Sequence, residues 1–224
     1  MSSPRTIAAA GRTDRTYVLF LGRSTALDPI TGVTDDAGNT WTRLDYAPKS
    51  GSTGRRAEVW SCRPAAPFTV VSVAFTGSGV CLGALLEVAG AAGPDVSAAD
   101  VRSNSGAPAP VTVAPTVGGG IALAAIVATP TPTSQITPSA GWTLVATDSG
   151  GPAVAYRPDP PAGTPVGVSW TLSTATGSGH AITVVKAAPV VPAVTVTVWD
   201  GAAEQPATLA GVWDGATVQP ATLT

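Results

Sequence analysis

Short apolar runs separated by polar, glycine-rich turns recur along the whole chain. Tyr17–Leu21 is a continuous apolar run of strand length, which predicts a strand buried on both faces. Pro165–Leu172 instead alternates apolar and polar residues, as a strand with one buried face does. Further strands are predicted at 57–62, 69–75, 80–88, 111–113, 121–128, 153–157 and 180–186. Periodic helix patterns are scarce, so the sequence predicts an all-β fold, a jelly-roll-like antiparallel β-sandwich.

One turn motif occurs twice. In Val33–Trp41, Gly38-Asn39 lies between β-branched residues and predicts a β-hairpin. The pattern returns at Ile136–Thr143, where an Ala-Gly turn again precedes Trp-Thr, and the strands after each copy follow in similar order, with Lys186 standing where Glu87 stands in the first half. This echo predicts two related four-stranded halves. The alternative is an all-β chain that repeats strand and turn without duplication. Ala89–Pro110 has low hydrophobicity and contains Gly93-Pro94, so it is expected to be a crossover that carries the chain from the first half to the second.

The C-terminal segment has a different pattern. The predicted organisation is a β-sandwich domain over 1–188, a Pro- and Val-rich linker over 189–197, and two repeats over 198–224. The copies begin at Val198 and Val212, fourteen positions apart, and each runs Val-Trp-Asp-Gly and then Gln-Pro-Ala-Thr-Leu. Asp-Gly is a hairpin dipeptide, so each repeat predicts a miniature hairpin.

Two such hairpins make only a marginal core. We therefore expect the tail to dock on its own sandwich or on a neighbouring chain, since a buried tryptophan stabilises a contact by roughly 2–3 kcal/mol. The alternative is a loosely ordered extension. The predicted partner-binding residues are those of the two turns: Trp199, Asp200, Gly201, Trp213, Asp214 and Gly215.

Composition narrows the class of protein. Charged residues are 12% of the chain and the formal net charge is −2, with no basic cluster beyond Arg55-Arg56, so nucleic acid is excluded as a partner. No apolar stretch is as long as a membrane-spanning helix, and the N-terminus lacks the basic segment and apolar core of a signal peptide. We expect a protein made in a cytoplasm that stays there or leaves by another route such as lysis. Cys62 and Cys81 are expected to be buried thiols on neighbouring strands rather than a disulfide.

Few residues suit metal binding or nucleophilic catalysis. His180 is the single histidine, and its place at the start of a predicted strand favours a structural role over a Ser-His-Asp or Cys-His arrangement. Asp35, Asp36 and Asn39 have the oxygen ligands of a calcium site but are also typical of turns, where they bond the backbone. We expect the turn, and no metal and no cofactor.

The Trp-Asp-Gly repeats of Val198–Leu223, with Pro-Ala-Thr following each, resemble those that end many minor tail and other virion structural proteins of tailed phages infecting actinobacteria. Thr34–Trp41 and the Val80–Val88 strand are similar to β-sandwich modules of such proteins and of some bacterial surface proteins. The resemblance implies a non-enzymatic virion structural protein, first a minor tail component, with capsid decoration as the alternative location. It would assemble through sandwich surfaces and the Trp-rich arm, as a homo-oligomer and with other virion proteins.

Two further classes stay open. A carbohydrate-binding or host-adhesion module would stack Trp41, Trp60 or Trp142 side by side on the sugar rings of an envelope glycan. A glycan hydrolase would need Glu87 and Asp45 or Glu58 facing each other across a cleft. The exchange of Glu87 for Lys186 in the echo favours strand-end charges, so we expect no catalytic residues.

Overall fold

The computed structural model describes residues 5–23, 30–48, 56–76, 81–102, 109–128, 136–146, 152–172, 177–187, 194–199 and 204–207. These residues contain strands and turns and no helix. The first strands are β1 Arg5–Ala8, β2 Arg15–Arg23, β3 Ile30–Asp35, β4 Thr42–Ala47, β5 Arg56–Cys62, β6 Val70–Phe75 and β7 Cys81–Ala89. The next are β8 Ala91–Arg102, β9 Val111–Val113, β10 Ile121–Ala128, β11 Ile136–Pro138, β12 Thr143–Ala146, β13 Ala153–Pro158, β14 Val166–Val168, β15 Trp170–Leu172 and β16 Ser178–Ala187. The last described strands are β17 Val194–Trp199 and β18 Glu204–Ala207.

The strands form two main antiparallel sheets, each covered on its outer face by smaller sheets. The main sheets have the orders β18-β17-β7-β2-β5-β4 and β12-β13-β10-β16-β8. The sheet β1-β6-β3 covers the first, and the pairs β9-β14 and β11-β15 cover the second. The predicted all-β antiparallel sandwich is confirmed.

Burial on both faces explains why the central strands are so apolar. In β2, Val18 and Phe20 point into the core between the two main sheets, while Tyr17, Leu19 and Leu21 point into the core under the small sheet. β10 behaves alike, since its residues divide between the central core and the outer core of the second half. Each of these strands thus needs apolar side chains at successive positions.

The two halves share one topology. The order β4-β5-β2-β7 matches β12-β13-β10-β16, and β3 and β11 each pair with a strand of an outer sheet. A bulge interrupts the pairing of β4 at Leu44 and of β12 at Val145. Leu44 follows Trp41 by the same three positions that separate Val145 from Trp142. The common register and the common bulge support a duplicated architecture.

The halves exchange their last strands. β8 follows β7 through a turn at Gly90, where φ is +61°, yet β8 pairs with β16 of the second half. β17 follows β16 but pairs with β7 of the first half, from Val194 opposite Val88 to Trp199 opposite Gly83. Each main sheet is therefore completed by a strand from the other half.

Several sequence predictions are wrong in detail. Val33–Trp41 does not turn a hairpin, because β3 pairs with β6 and β4 pairs with β5, so the motif connects two sheets. Residues 89–110 were expected to cross between the halves without a strand but contain the long strand β8, which is held by its pairing with β16. The single strand expected at Pro165–Leu172 is divided at Ser169 into β14 and β15, which pair with different partners.

The two main sheets approach each other closely at Gly22 in β2. A side chain at this position would overlap Val127 of β10, which is β-branched and has little rotamer freedom. Gly22→Ala should therefore lower the free energy of unfolding by about 1–3 kcal/mol in chemical denaturation. Gly32→Ala is the control, because open space surrounds that position and its change should stay within about 0.5 kcal/mol. The double variant Gly22→Ala/Val127→Ala should recover part of the loss, and a fully stable Gly22→Ala would contradict this packing.

Candidate functional site

The predicted partner-binding residues begin where the C-terminal segment joins the sandwich. The predicted linker and the first repeat share β17, since Val194–Trp199 is one strand on the edge of β7. β17 then pairs antiparallel with β18, with Trp199 opposite Glu204. Asp200, Gly201, Trp213, Asp214 and Gly215 lie outside the described residues, as does the whole second repeat. The first repeat thus starts as part of the six-stranded sheet.

The edge at which the arm leaves is a poor template for a further strand. β18 is the outermost strand of its sheet and has Pro206 opposite Thr197. Proline has no amide hydrogen for a ladder, so it blunts an exposed edge. At the other edge, the bulge in β4 interrupts regular pairing. Neither edge therefore favours the addition of a further strand.

The richest polar arrangement among the described residues lies on β4 and β5 and was not found from the sequence. We call it the β4–β5 cluster: Arg43, Tyr46, Arg56, Glu58 and Trp60. Glu58 is fully buried and accepts hydrogen bonds from Arg56 Nε and, at 2.9 Å, from Trp60 Nε1. Arg43 Nη1 lies 3.9 Å from the same carboxylate. The alternating positions 56, 58 and 60 on one strand were the available signal.

The outer part of the β4–β5 cluster is an arginine–tyrosine stack. The Tyr46 ring has the Arg43 guanidinium carbon 4.4 Å and the Arg56 guanidinium carbon 5.0 Å from its centroid. Tyr46 is 43% exposed, and the Arg43 side chain is 38% exposed. Tyrosine and arginine held in fixed positions at a surface are typical of protein contact sites.

The other acidic residues considered for catalysis are engaged in structural contacts. Glu87 accepts hydrogen bonds from Arg15 Nε at 2.9 Å and from the Tyr17 hydroxyl at 3.0 Å. Lys186, its predicted counterpart, pairs with Asp95 at 3.3 Å. Asp45 accepts a hydrogen bond from the backbone N–H of Tyr46. These contacts favour strand-end and structural charges over a pair of catalytic carboxylates.

Asp35 and Asn39 organise the connection between β3 and β4. Asp35 accepts hydrogen bonds from the backbone N–H groups of Ala37 and Asn39 at 3.0 Å each and from Trp41 Nε1 at 2.9 Å. Asn39 in turn bonds the backbone at Ala66. The oxygen atoms that suggested calcium thus bond backbone and indole groups, as the turn interpretation expected.

Asp36 fastens the same turn to β6. Its carboxylate accepts hydrogen bonds from the Thr69 hydroxyl and from the backbone N–H groups of Thr69 and Val70. These bonds, that of the Thr69 side chain first, lower the pKa of Asp36 to about 2. Hydrogen bonds to the charged form of a carboxylate favour that form.

The single histidine and the two cysteines are buried. His180 is 1% exposed, and its Nε2 lies 3.7 Å from Asp100 of the neighbouring strand β8. Cys62 and Cys81 are free thiols, and burial, together with the charge of Asp35, raises the pKa of Cys62 to about 12. They are not on neighbouring strands as expected, because β2 lies between β5 and β7. They pair with opposite ends of β2, about 20 Å apart, which is beyond the reach of a disulfide.

The tryptophans proposed as a sugar platform are covered. Trp41, Trp60 and Trp142 are 7%, 9% and 8% exposed, and Trp170 is 1% exposed. Trp142 donates its indole N–H to the backbone oxygen of Gly167. None of these four rings offers an open face, so stacking of sugars on them is not supported.

The described residues contain no group of three or more His, Cys, Asp or Glu side chains placed to hold a metal ion. Within the same part of the chain, no helix is long and apolar enough to cross a membrane.

Comparison with known proteins gives little guidance. No family model matches the chain, and no curated protein is significantly similar to it. Among solved structures, the C-terminal domain of the Streptococcus agalactiae AgI/II polypeptide BspA aligns with 86% of this chain and 82% of that one, at 8% identity. The TM-score of 0.20 is too low for this likeness to support a shared fold or function.

Glu58 should be essential for stability. Glu58→Gln removes the charge that compensates the buried Arg56 guanidinium, so the free energy of unfolding should fall by about 3 kcal/mol in urea denaturation. Asp45→Asn, on the adjacent strand, is the control and should change it by no more than about 0.5 kcal/mol. Equal stability of the two variants would show that the Arg56–Glu58 pair is dispensable.

Asp36 should make the protein acid-sensitive. Because its pKa is lower in the folded state than in the unfolded state, its stabilisation is present above about pH 4 and is lost as the pH falls towards 2. Thermal melts between pH 5 and pH 2 should show a smaller drop in Tm for Asp36→Asn than for the wild type. Parallel pH profiles for the two proteins would refute this role.

Proposed function

We propose that this protein is a non-enzymatic structural component of a tailed-phage virion, a minor tail component that assembles through its C-terminal arm. The sequence support is the pair of Trp-Asp-Gly repeats. The structural observation that carries the proposal is β17, which places the beginning of the first repeat on the edge of β7 in the main sheet.

This placement matters because an arm that binds a partner must also be attached firmly to its own domain. Six residues of β17 pair with β7, and β18 extends the same sheet. The next repeat begins at Val212, and four residues separate it from Ala207 at the end of β18. A short tether of this kind keeps the second repeat close to one sheet edge and raises its effective concentration for partners bound there.

The engagement of the acids supports a non-enzymatic role. Glu58 and Glu87, the candidates for acid–base chemistry, are each bonded to an arginine and to an aromatic side chain. Either carboxyl group could donate a proton to a substrate, or attack one as a nucleophile, only after these contacts had been broken. The partners we propose are further copies of this chain and other virion proteins.

Two truncations test the proposal. A chain ending at Ala210 keeps β17 and β18 but lacks the second repeat, so it should melt within a few degrees of the full chain while losing self-association or binding to virion proteins. A chain ending at Ala188 also loses β17 and leaves one side of β7 unpaired, so its Tm should fall clearly. Light scattering measures association and circular dichroism measures melting.

The opposite pattern would reject the assembly role. If the chain ending at Ala210 associates and binds virion proteins as the full chain does, the second repeat is a passive extension. Binding of the same truncated chain to host-envelope glycans would then make host adhesion the better account.

A further inference from the structure

The β4–β5 cluster carries one positive charge in excess. It contains two guanidinium groups and one carboxylate, that of Glu58. Arg56 is hydrogen-bonded to Glu58 and nearly buried, with 10% of its side chain exposed, so it compensates the buried charge. Arg43 is 3.9 Å away, and its side chain is 38% exposed. The excess positive charge is therefore that of the Arg43 guanidinium, which is partly exposed to solvent.

Arg43 is also held in a fixed orientation. Its guanidinium carbon lies 4.4 Å from the centroid of Tyr46 and 5.8 Å from that of Trp60. Among the described residues, Glu58 is the one carboxylate within 4.0 Å of its nitrogens. A guanidinium packed on aromatic rings keeps its N–H groups available at the edge, where they match a carboxylate. The cluster thus suits a partner that offers a carboxylate next to an apolar or aromatic group.

The C-terminal segment of the chain has that chemistry. Residues 188–224 contain the acids Asp200, Glu204 and Asp214 and no lysine or arginine. In each repeat the aspartate directly follows a tryptophan. The segment is therefore complementary to the β4–β5 cluster in both charge and apolar character.

We propose that the β4–β5 cluster of one copy binds the second Trp-Asp-Gly repeat of another copy, with Asp214 on Arg43 and Trp213 against Tyr46. This inference rests on the proposed assembly role of the arm and names the surface that receives it. Arg43 donates hydrogen bonds to the Asp214 carboxylate, and the exposed edge of Tyr46 gives the indole an apolar contact.

The distance across the sheet assigns the contact to a second copy. β18 and β4 are the two edges of the six-stranded sheet, about 24 Å apart at the usual strand spacing. The chain from Ala207 to Asp214 spans at most about 25 Å, so it would reach β4 only when fully extended along a straight path. It would also have to pass around the outer sheet β1-β6-β3, which lies over the same face. The arm of a neighbouring copy is limited neither by this chain length nor by the path around the outer sheet.

A contact of this kind joins two different surfaces, the arm of one copy and the β4 edge of the next. Such head-to-tail contacts close into rings when the rotation permits and otherwise continue as filaments. Rings are the arrangement that the symmetry of a phage tail would use.

The test is the self-association of the full chain, measured by sedimentation equilibrium in low salt. Arg43→Gln and Asp214→Asn should each raise the dissociation constant about tenfold or more. The dissociation constant of the double variant should not exceed that of the single variant that associates less tightly, because both substitutions remove the same contact. Added sodium chloride should weaken association of the wild type more than that of either variant. Matched controls are Arg12→Gln, an exposed arginine elsewhere, and Asp159→Asn, an exposed aspartate, neither of which should change the dissociation constant.

Each outcome separates this inference from the assembly role itself. Asp214→Asn leaves all five residues of the cluster unchanged, so it keeps the test valid if Arg43→Gln lowers the Tm. If truncation at Ala210 abolishes association but Arg43→Gln leaves it unchanged, the arm assembles the protein through another surface and the inference is wrong. A full chain that stays monomeric overturns it as well. Loss of binding to polygalacturonate in Arg43→Gln, with association unchanged, would instead make the cluster an acidic-glycan site.

Discussion

The reciprocal exchange of β8 and β17 is the constraint on which the rest of the structure depends. β7 and β16 are each paired on one side by a strand that follows the other half in sequence. Neither half therefore contains all the strands of its own main sheet. β17 pairs with β7 across about a hundred intervening residues, so folding depends on contacts distant in sequence. Because the arm begins at β17, the start of its first repeat, Val198 and Trp199, is held by the same exchange that joins the halves.

Local patterns predicted most of the individual strands. The apolar run Tyr17–Leu21 indicated burial on both faces, and the structure places its side chains in two cores. Ala89–Pro110 was misinterpreted because its composition is that of a loop, with Gly93 and Pro94. β8 forms there because it is an edge strand, where pairing on one side suffices and proline is tolerated. Pairing between strands that are not consecutive in sequence, as between β3 and β6, is a tertiary property that no local pattern encodes.

The candidate site divides in the same way. The Trp-Asp-Gly repeats are visible as sequence, and their turn residues could be named directly. The β4–β5 cluster could not, because Arg43 and Glu58 become neighbours only through the register of β4 on β5, which the bulge at Leu44 shifts by one residue. Sequence alternation shows that Arg56, Glu58 and Trp60 share a face, but it does not show that the face is covered and the carboxylate fully buried.

Protected edges and an excess charge together favour recognition by side chains. Pro206 in β18 and the bulge in β4 reduce the risk of uncontrolled strand addition in a chain whose described residues form strands and no helix. With only 12% charged residues, such a protein has few ways to select a partner by electrostatics. A single arginine fixed by aromatic rings is then a strong determinant, because its orientation is set before binding and little entropy is lost when a carboxylate arrives. Glu58 has the complementary role, since its burial holds Arg56 and Trp60 in place beneath the exposed stack.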